Sequence, residues 1–192
     1  MKQKRRIAID AIEKAAAQFP NIGQGWSAVE TIDRLMLQGT QAQMAGLWRD
    51  AEVRAVWNEA LSKFWMARER ATPPGFWDDF ERLKQRDING LESGIAFLEA
   101  DPYFFRSGYI KEWISTFVRR LLLDDSQQRR LRRVVLHIVE TRDGREFRYF
   151  CRLARRVADD ELRHELQKLL QHEDRDIRRR ATWMLNYCRP QK

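Results

Sequence analysis

Two apolar stripes, each bracketed by aspartates, constrain this chain more than any other feature. They lie in Asp159–Cys188, DDELRHELQKLLQHEDRDIRRRATWMLNYC. Leu162, Leu166, Leu169 and Leu170 recur at steps of four, three and one, which places them on one face of a helix with a 3.6-residue period. Asp159 or Asp160 is placed to cap that helix, and Glu161 sits in the first turn, where the helix dipole favours negative charge. His172-Glu173-Asp174 breaks the stripe, and Asp174 can cap a second helix with Ile177, Ala181, Met184 and Leu185 inward and Cys188 beyond. Two helices bury too little surface to stand alone in water, so the pair has to pack on more of the same upstream.

The upstream chain supplies such helices. Residues 3–19 carry Ala8, Ile12, Ala15, Ala16 and Phe19 on one face, and Pro20 to Gly25 breaks the pattern. Ser27-Ala28-Val29-Glu30 has the form of a capping box opening a helix that ends at Gly39, and Thr40 to Gln43 repeats the form. A longer helix is predicted over 50–70, with Val53, Trp57, Ala60, Leu61 and Phe64 inward. Further helices are predicted over 76–85, over 91–100 with a stop at Asp101-Pro102, and over 108–122 with Ile110, Trp113, Ile114, Phe117 and Leu121 inward. Asp124 or Asp125 caps another, with Leu131, Val134, Val135 and Ile138 inward.

Residues 134–151 read two ways. Asp143-Gly144 is a hairpin turn signal between β-prone runs. The strand reading fails to alternate, however, because Phe150 interrupts the Phe147, Tyr149, Cys151 set and Val134-Val135-Leu136 is unbroken. Positions 131, 134, 135, 138 and then 147, 150, 151, 154 fit helices, so helix-turn-helix is the expectation. The fold class is therefore all-α: stacked antiparallel helix hairpins, as an α-solenoid or an irregular bundle. Thr72-Pro73-Pro74-Gly75 is the clearest breaker. It divides an N-terminal bundle over 1–71 from a C-terminal stack over 76–188, unless the two run together as one domain.

Leu169-Leu170, Asp174, Ile177-Arg178, Ala181 and Leu185 together resemble one HEAT or armadillo-type helical repeat. The resemblance covers about thirty residues. It implies hairpins stacked in rows and a surface for binding another macromolecule. Some HEAT-like folds are DNA glycosylases that use Trp, Asp and Arg in a cleft. Trp113, Trp183, Asp78 and Arg148 can be cast in such roles, but no motif of that family matches residue by residue and no site is carried over.

No apolar run approaches the roughly 20 residues that span a bilayer. Asp10 and Glu13 interrupt the segment after the basic start, so no signal peptide is expected and the default location is cytoplasmic. Cys151 and Cys188 fall on apolar stripes and read as buried thiols rather than a disulfide or a metal site. His137, His164 and His172 show no metal-ligand spacing, and there is no phosphate-binding glycine loop and no nucleophile elbow. No cofactor or metal is expected. Asp78-Asp79 are adjacent, point about 100° apart on a helix, and read as first-turn acids rather than a catalytic pair.

The net charge is +8, with 36 basic and 28 acidic residues, and arginine outnumbers lysine 28 to 8. Arg129-Arg130, Arg132-Arg133, Arg155-Arg156 and Arg178-Arg179-Arg180 form clusters, several of them opposite the apolar stripes. Aligned by stacked helices they would form a ridge able to meet phosphates; salt-bridged locally, for instance Arg132-Arg133 with Asp124-Asp125 and Arg163 with Asp159-Asp160, they would be only a solvated face. Of seven tryptophans, Trp57 and Trp113 sit on stripes and are expected in the core. Trp77 and Trp183 lie off them and are candidates for an exposed binding surface. The expected role is a non-catalytic scaffold that binds an acidic protein partner through arginine and aromatic residues. The alternative is a DNA- or RNA-binding protein. Neither the partner nor the oligomeric state is encoded in any of these patterns.

Overall fold

The helical spacing becomes ten α-helices in the computed structural model, which describes residues 2–41, 44, 46–104, 106–141 and 144–189; no strand occurs among them. The chain divides into two units, Met1–Phe76 with Pro102–Phe105, and Trp77–Asp101 with Arg106–Lys192.

The first unit contains α1 (Lys2–Ala16), α2 (Trp26–Met36) and α3 (Ala51–Ala71). Each packs on the other two, burying Ile12, Phe19, Val29, Ile32, Val53 and Phe64. Asp50 caps α3 by accepting from the Glu52 and Val53 amides, which satisfies two donors orphaned at a helix start. The capping box expected at Ser27–Glu30 is not made. Helix α2 starts two residues earlier, at Trp26, behind Gly25 with φ 112°, a conformation that suits glycine alone. The Gly25 amide donates to the Ala71 carbonyl, so a tertiary hydrogen bond sets the helix start and Ser27 falls inside it. Of the second box, Thr40 donates to the Met36 carbonyl in a π-turn over Leu37–Gln41, and Ala42 and Gln43 lie outside the described residues.

In the second unit α4 (Phe76–Lys84) leads into α5 (Leu91–Ala100), α6 (Ser107–Val118), α7 (Asp125–Thr141), α8 (Phe147–Val157), α9 (Asp160–Leu169) and α10 (Arg175–Tyr187). Helices α5 and α6, α7 and α8, and α9 and α10 pair through connections short enough to require antiparallel neighbours. The pairs stack in two rows. Row one is α5, α7, α9 and row two is α6, α8, α10, each helix touching the next in its row, with α7 also against α10. Ile95, Leu98, Ile114, Leu131, Ile138, Phe150, Leu153 and Met184 are buried in this stack. The 134–151 segment is helix-turn-helix as expected, with Arg142 and Asp143 of its turn outside the described residues.

Aspartates punctuate the stack. Asp124 and Gln127 exchange hydrogen bonds in a reciprocal box at the start of α7. Asp159 accepts from the Leu162 amide, and Asp174 from those of Asp176 and Ile177. Asp101 ends α5 in a left-handed conformation, φ 42°. Its carboxylate lies 2.5 Å from the Lys111 ammonium, with both side chains buried.

Candidate functional site

Row two presents its helices side by side, and the charge on that surface is uneven. Arg119 and Arg120 follow the end of α6, and Arg152, Arg155 and Arg156 occupy the second half of α8. With Tyr187, the last residue of α10, they line one depression of about 540 Å³. The C-terminal ends of the three helices thus meet there, which fixes α6, α8 and α10 as parallel. No carboxylate lines the depression and none pairs with any of its five arginines among the described residues. Arg156 reaches the Leu121 carbonyl, and Arg152 lies over the Tyr149 ring at 5.4 Å. The Arg119 Nε is buried without a hydrogen-bond partner. Burial, then the charges of Arg120 and Arg152, depress the Arg119 pKa. These cations repel one another.

Helix ends explain part of this. A C-terminus carries roughly half a negative charge and attracts basic side chains. Three such ends offset roughly one and a half of the five positive charges. The remainder is uncompensated, and an anion placed in the depression would meet several guanidinium forks at once.

Aromatic side chains continue the surface toward the other end of row two. Tyr109 and Trp113 are 46% and 50% exposed on α6, and Trp183 is 47% exposed on α10. The Trp113 result corrects the expectation that it lies in the core: it sits at the rim of the α6 stripe, whose inner positions are filled by Ile110, Ile114 and Phe117. Trp57 is half-buried, edge-on to Trp48. Arg145 covers Tyr109 at 4.0 Å and Arg179 covers Trp183 at 5.2 Å. Trp113 has only a tilted contact with Phe117, at 5.7 Å.

The candidate residues separate into groups. Arg155 and Arg156 line the depression, and Trp183 stands exposed on the same row. Arg129, Arg130 and Arg133 are elsewhere, on α7 in row one. There Arg130 binds Glu99 through two nitrogens and Glu92 through a third, while Arg129 and Arg133 share a groove with Glu161 and Glu165. Arg132 pairs with Asp159, not with Asp124 or Asp125, because α9 brings Asp159 alongside. Arg163 pairs with Asp160 as expected. Arg178 closes the α9–α10 turn by donating to the His172 and Glu173 carbonyls, and Arg179 pairs with Asp176. Trp77 is half-buried against Phe80. Asp78 is exposed, whereas Asp79 accepts from Ser93 and pairs with Arg82.

Sequence reasoning missed Arg119, Arg120, Arg152 and Tyr187. One signal for them was available: α8 contains four arginines and no acid over Phe147–Val157. The thiols of Cys151 and Cys188 are free and buried, and burial raises their pKa values to about 12 and about 11. No described helix is long and apolar enough to cross a membrane. No protein-family model, no curated protein and no solved structure matches the chain.

Proposed function

We propose that this chain binds nucleic acid, with the row-two arginines taking backbone phosphates. The carrying observation is the depression lined by Arg119, Arg120, Arg152, Arg155 and Arg156 with no carboxylate among them. By contrast Arg130, Arg132, Arg145 and Arg163 of the same unit are each paired with a carboxylate. Guanidinium forks match phosphate oxygens, and exposed aromatics beside them supply π-faces for bases. The two-row arrangement supports reading the second unit as a HEAT-like repeat whose second row is the binding face. Free thiols at Cys151 and Cys188 accord with a reducing compartment such as the cytoplasm.

The second reading is an acidic protein partner docked on the same surface, which the charge pattern also supports. Fluorescence anisotropy with a labelled oligonucleotide separates the two. The folded protein should bind at low salt, Arg152→Ala/Arg155→Ala should weaken binding strongly, and Arg129→Ala/Arg133→Ala should preserve it. A folded wild-type protein that ignores oligonucleotides at low salt but holds a polyglutamate peptide would replace this reading with the second.

A further inference from the structure

Resting on the nucleic-acid reading, we infer that the ligand is single-stranded, with a base stacked on Trp113 and neighbouring phosphates on Arg120, Arg119 and Arg152. Trp113 is half exposed, and among the described residues no cation lies over its ring. The rings of Tyr109, Tyr149 and Trp183 each already carry a guanidinium on one side. Trp113 is therefore the open platform of the row.

Helical spacing joins this platform to the depression. Trp113 stands five residues before Val118, the last residue of α6, roughly 8 Å along the axis, and Arg119 and Arg120 follow at that end. A base on the indole thus directs its backbone along α6 toward Arg120. No exposed acid of α6 or α8 opposes that path. Glu112, the only acid of α6, is buried and held by Arg145, and α8 has none.

An exposed indole favours a single strand for a physical reason. In a duplex the base faces are stacked on one another, so only groove edges and backbone are presented. A single strand offers a π-face at every nucleotide, and stacking on aromatic side chains is sequence-tolerant. A duplex would use the arginines and leave Trp113 idle.

The test is anisotropy titration of a single strand of roughly 15 nucleotides, within the range of common site sizes, beside a hairpin duplex of the same sequence. The single strand should bind on the order of tenfold more tightly. Trp113→Leu should remove about that factor from single-strand binding while leaving duplex binding within about twofold, and Trp113→Phe should restore most of it. Arg120→Ala/Arg152→Ala should weaken both ligands. Equal affinity for the two, or a Trp113→Leu variant that binds single strands normally, overturns the inference and leaves nucleic-acid binding standing. Failure of both ligands to bind overturns the functional reading as well.

Discussion

The Arg145 guanidinium lies 4.0 Å from the centroid of the Tyr109 ring while its Nε donates to the Glu112 carboxylate at 2.6 Å. This clamp ties the segment ahead of α8 to the first half of α6. It sets the register in which Arg119 and Arg120 come beside Arg152, two turns further along. Arg145→Ala should lower the melting midpoint by several degrees and, by loosening α6 against α8, weaken oligonucleotide binding. Arg179→Ala removes an exposed one-turn pair with Asp176 and a surface cation over Trp183, and should lower the midpoint less than Arg145→Ala does. Thermal denaturation of the two variants followed by circular dichroism makes the comparison.

The buried Lys111–Asp101 pair predicts a larger loss. Asparagine adopts the left-handed conformation of Asp101 readily, so Asp101→Asn removes charge without straining the backbone. Lys111 is fully buried, and the substitution takes the charge from the carboxylate 2.5 Å from its ammonium. The expected cost is about 3–5 kcal/mol, read from chemical denaturation. A loss below about 1 kcal/mol would mean that the pair contributes no more than a surface one.

Two glycines sit where no side chain fits, and they should not respond alike. A Cβ at Gly90 would lie 2.1 Å from the Asp79 carbonyl oxygen, which is backbone and cannot step aside. At Gly94 the nearest atom, at 2.8 Å, is the flexible tip of Leu83. Both alanine variants should be destabilised within the range of about 1–3 kcal/mol typical of overpacking, with Gly90→Ala at or above its upper end. Equilibrium unfolding in urea gives the order directly.

Asp33 makes stability depend on pH. Burial raises its pKa from 3.8 to about 6, against a smaller opposing pull from Arg68. The folded state therefore holds this proton to higher pH than the unfolded chain does. Between about pH 4 and pH 6 the unfolded chain ionises first, so the Asp33 contribution to stability falls as pH rises, by at most about 3 kcal/mol. Asp33→Asn should flatten that slope. Urea midpoints of both proteins at pH 4.5 and pH 7 should converge at the lower pH and separate at the higher.

The all-α class and most helix limits were legible because apolar periodicity and aspartate caps are local signals. Asp159 and Asp174 cap where their spacing placed them. Ser27 misled because the helix start is fixed by the Gly25–Ala71 hydrogen bond between distant residues. Trp113 misled because a broad stripe says nothing of which rim position reaches solvent. Arg155 and Arg156 could be named as a cluster, but their convergence with Arg119 and Arg120 depends on how α6 and α8 are aligned. Arg130 looked equivalent in sequence, and α5 places Glu92 and Glu99 against it. Charge clusters are visible in a sequence, whereas their neutralisation is a tertiary fact.

The central claim is that the row-two arginines hold phosphates, and the salt dependence of binding counts those contacts. Log affinity for a single-stranded oligonucleotide should fall linearly with log salt, with a slope near −0.7 for each phosphate neutralised, hence about −3 for four or five contacts. Arg120→Ala/Arg155→Ala should make the slope shallower by about 1.4, while Arg129→Ala/Arg133→Ala should leave it unchanged. A slope that the row-one pair reduces and the row-two pair does not would contradict the account.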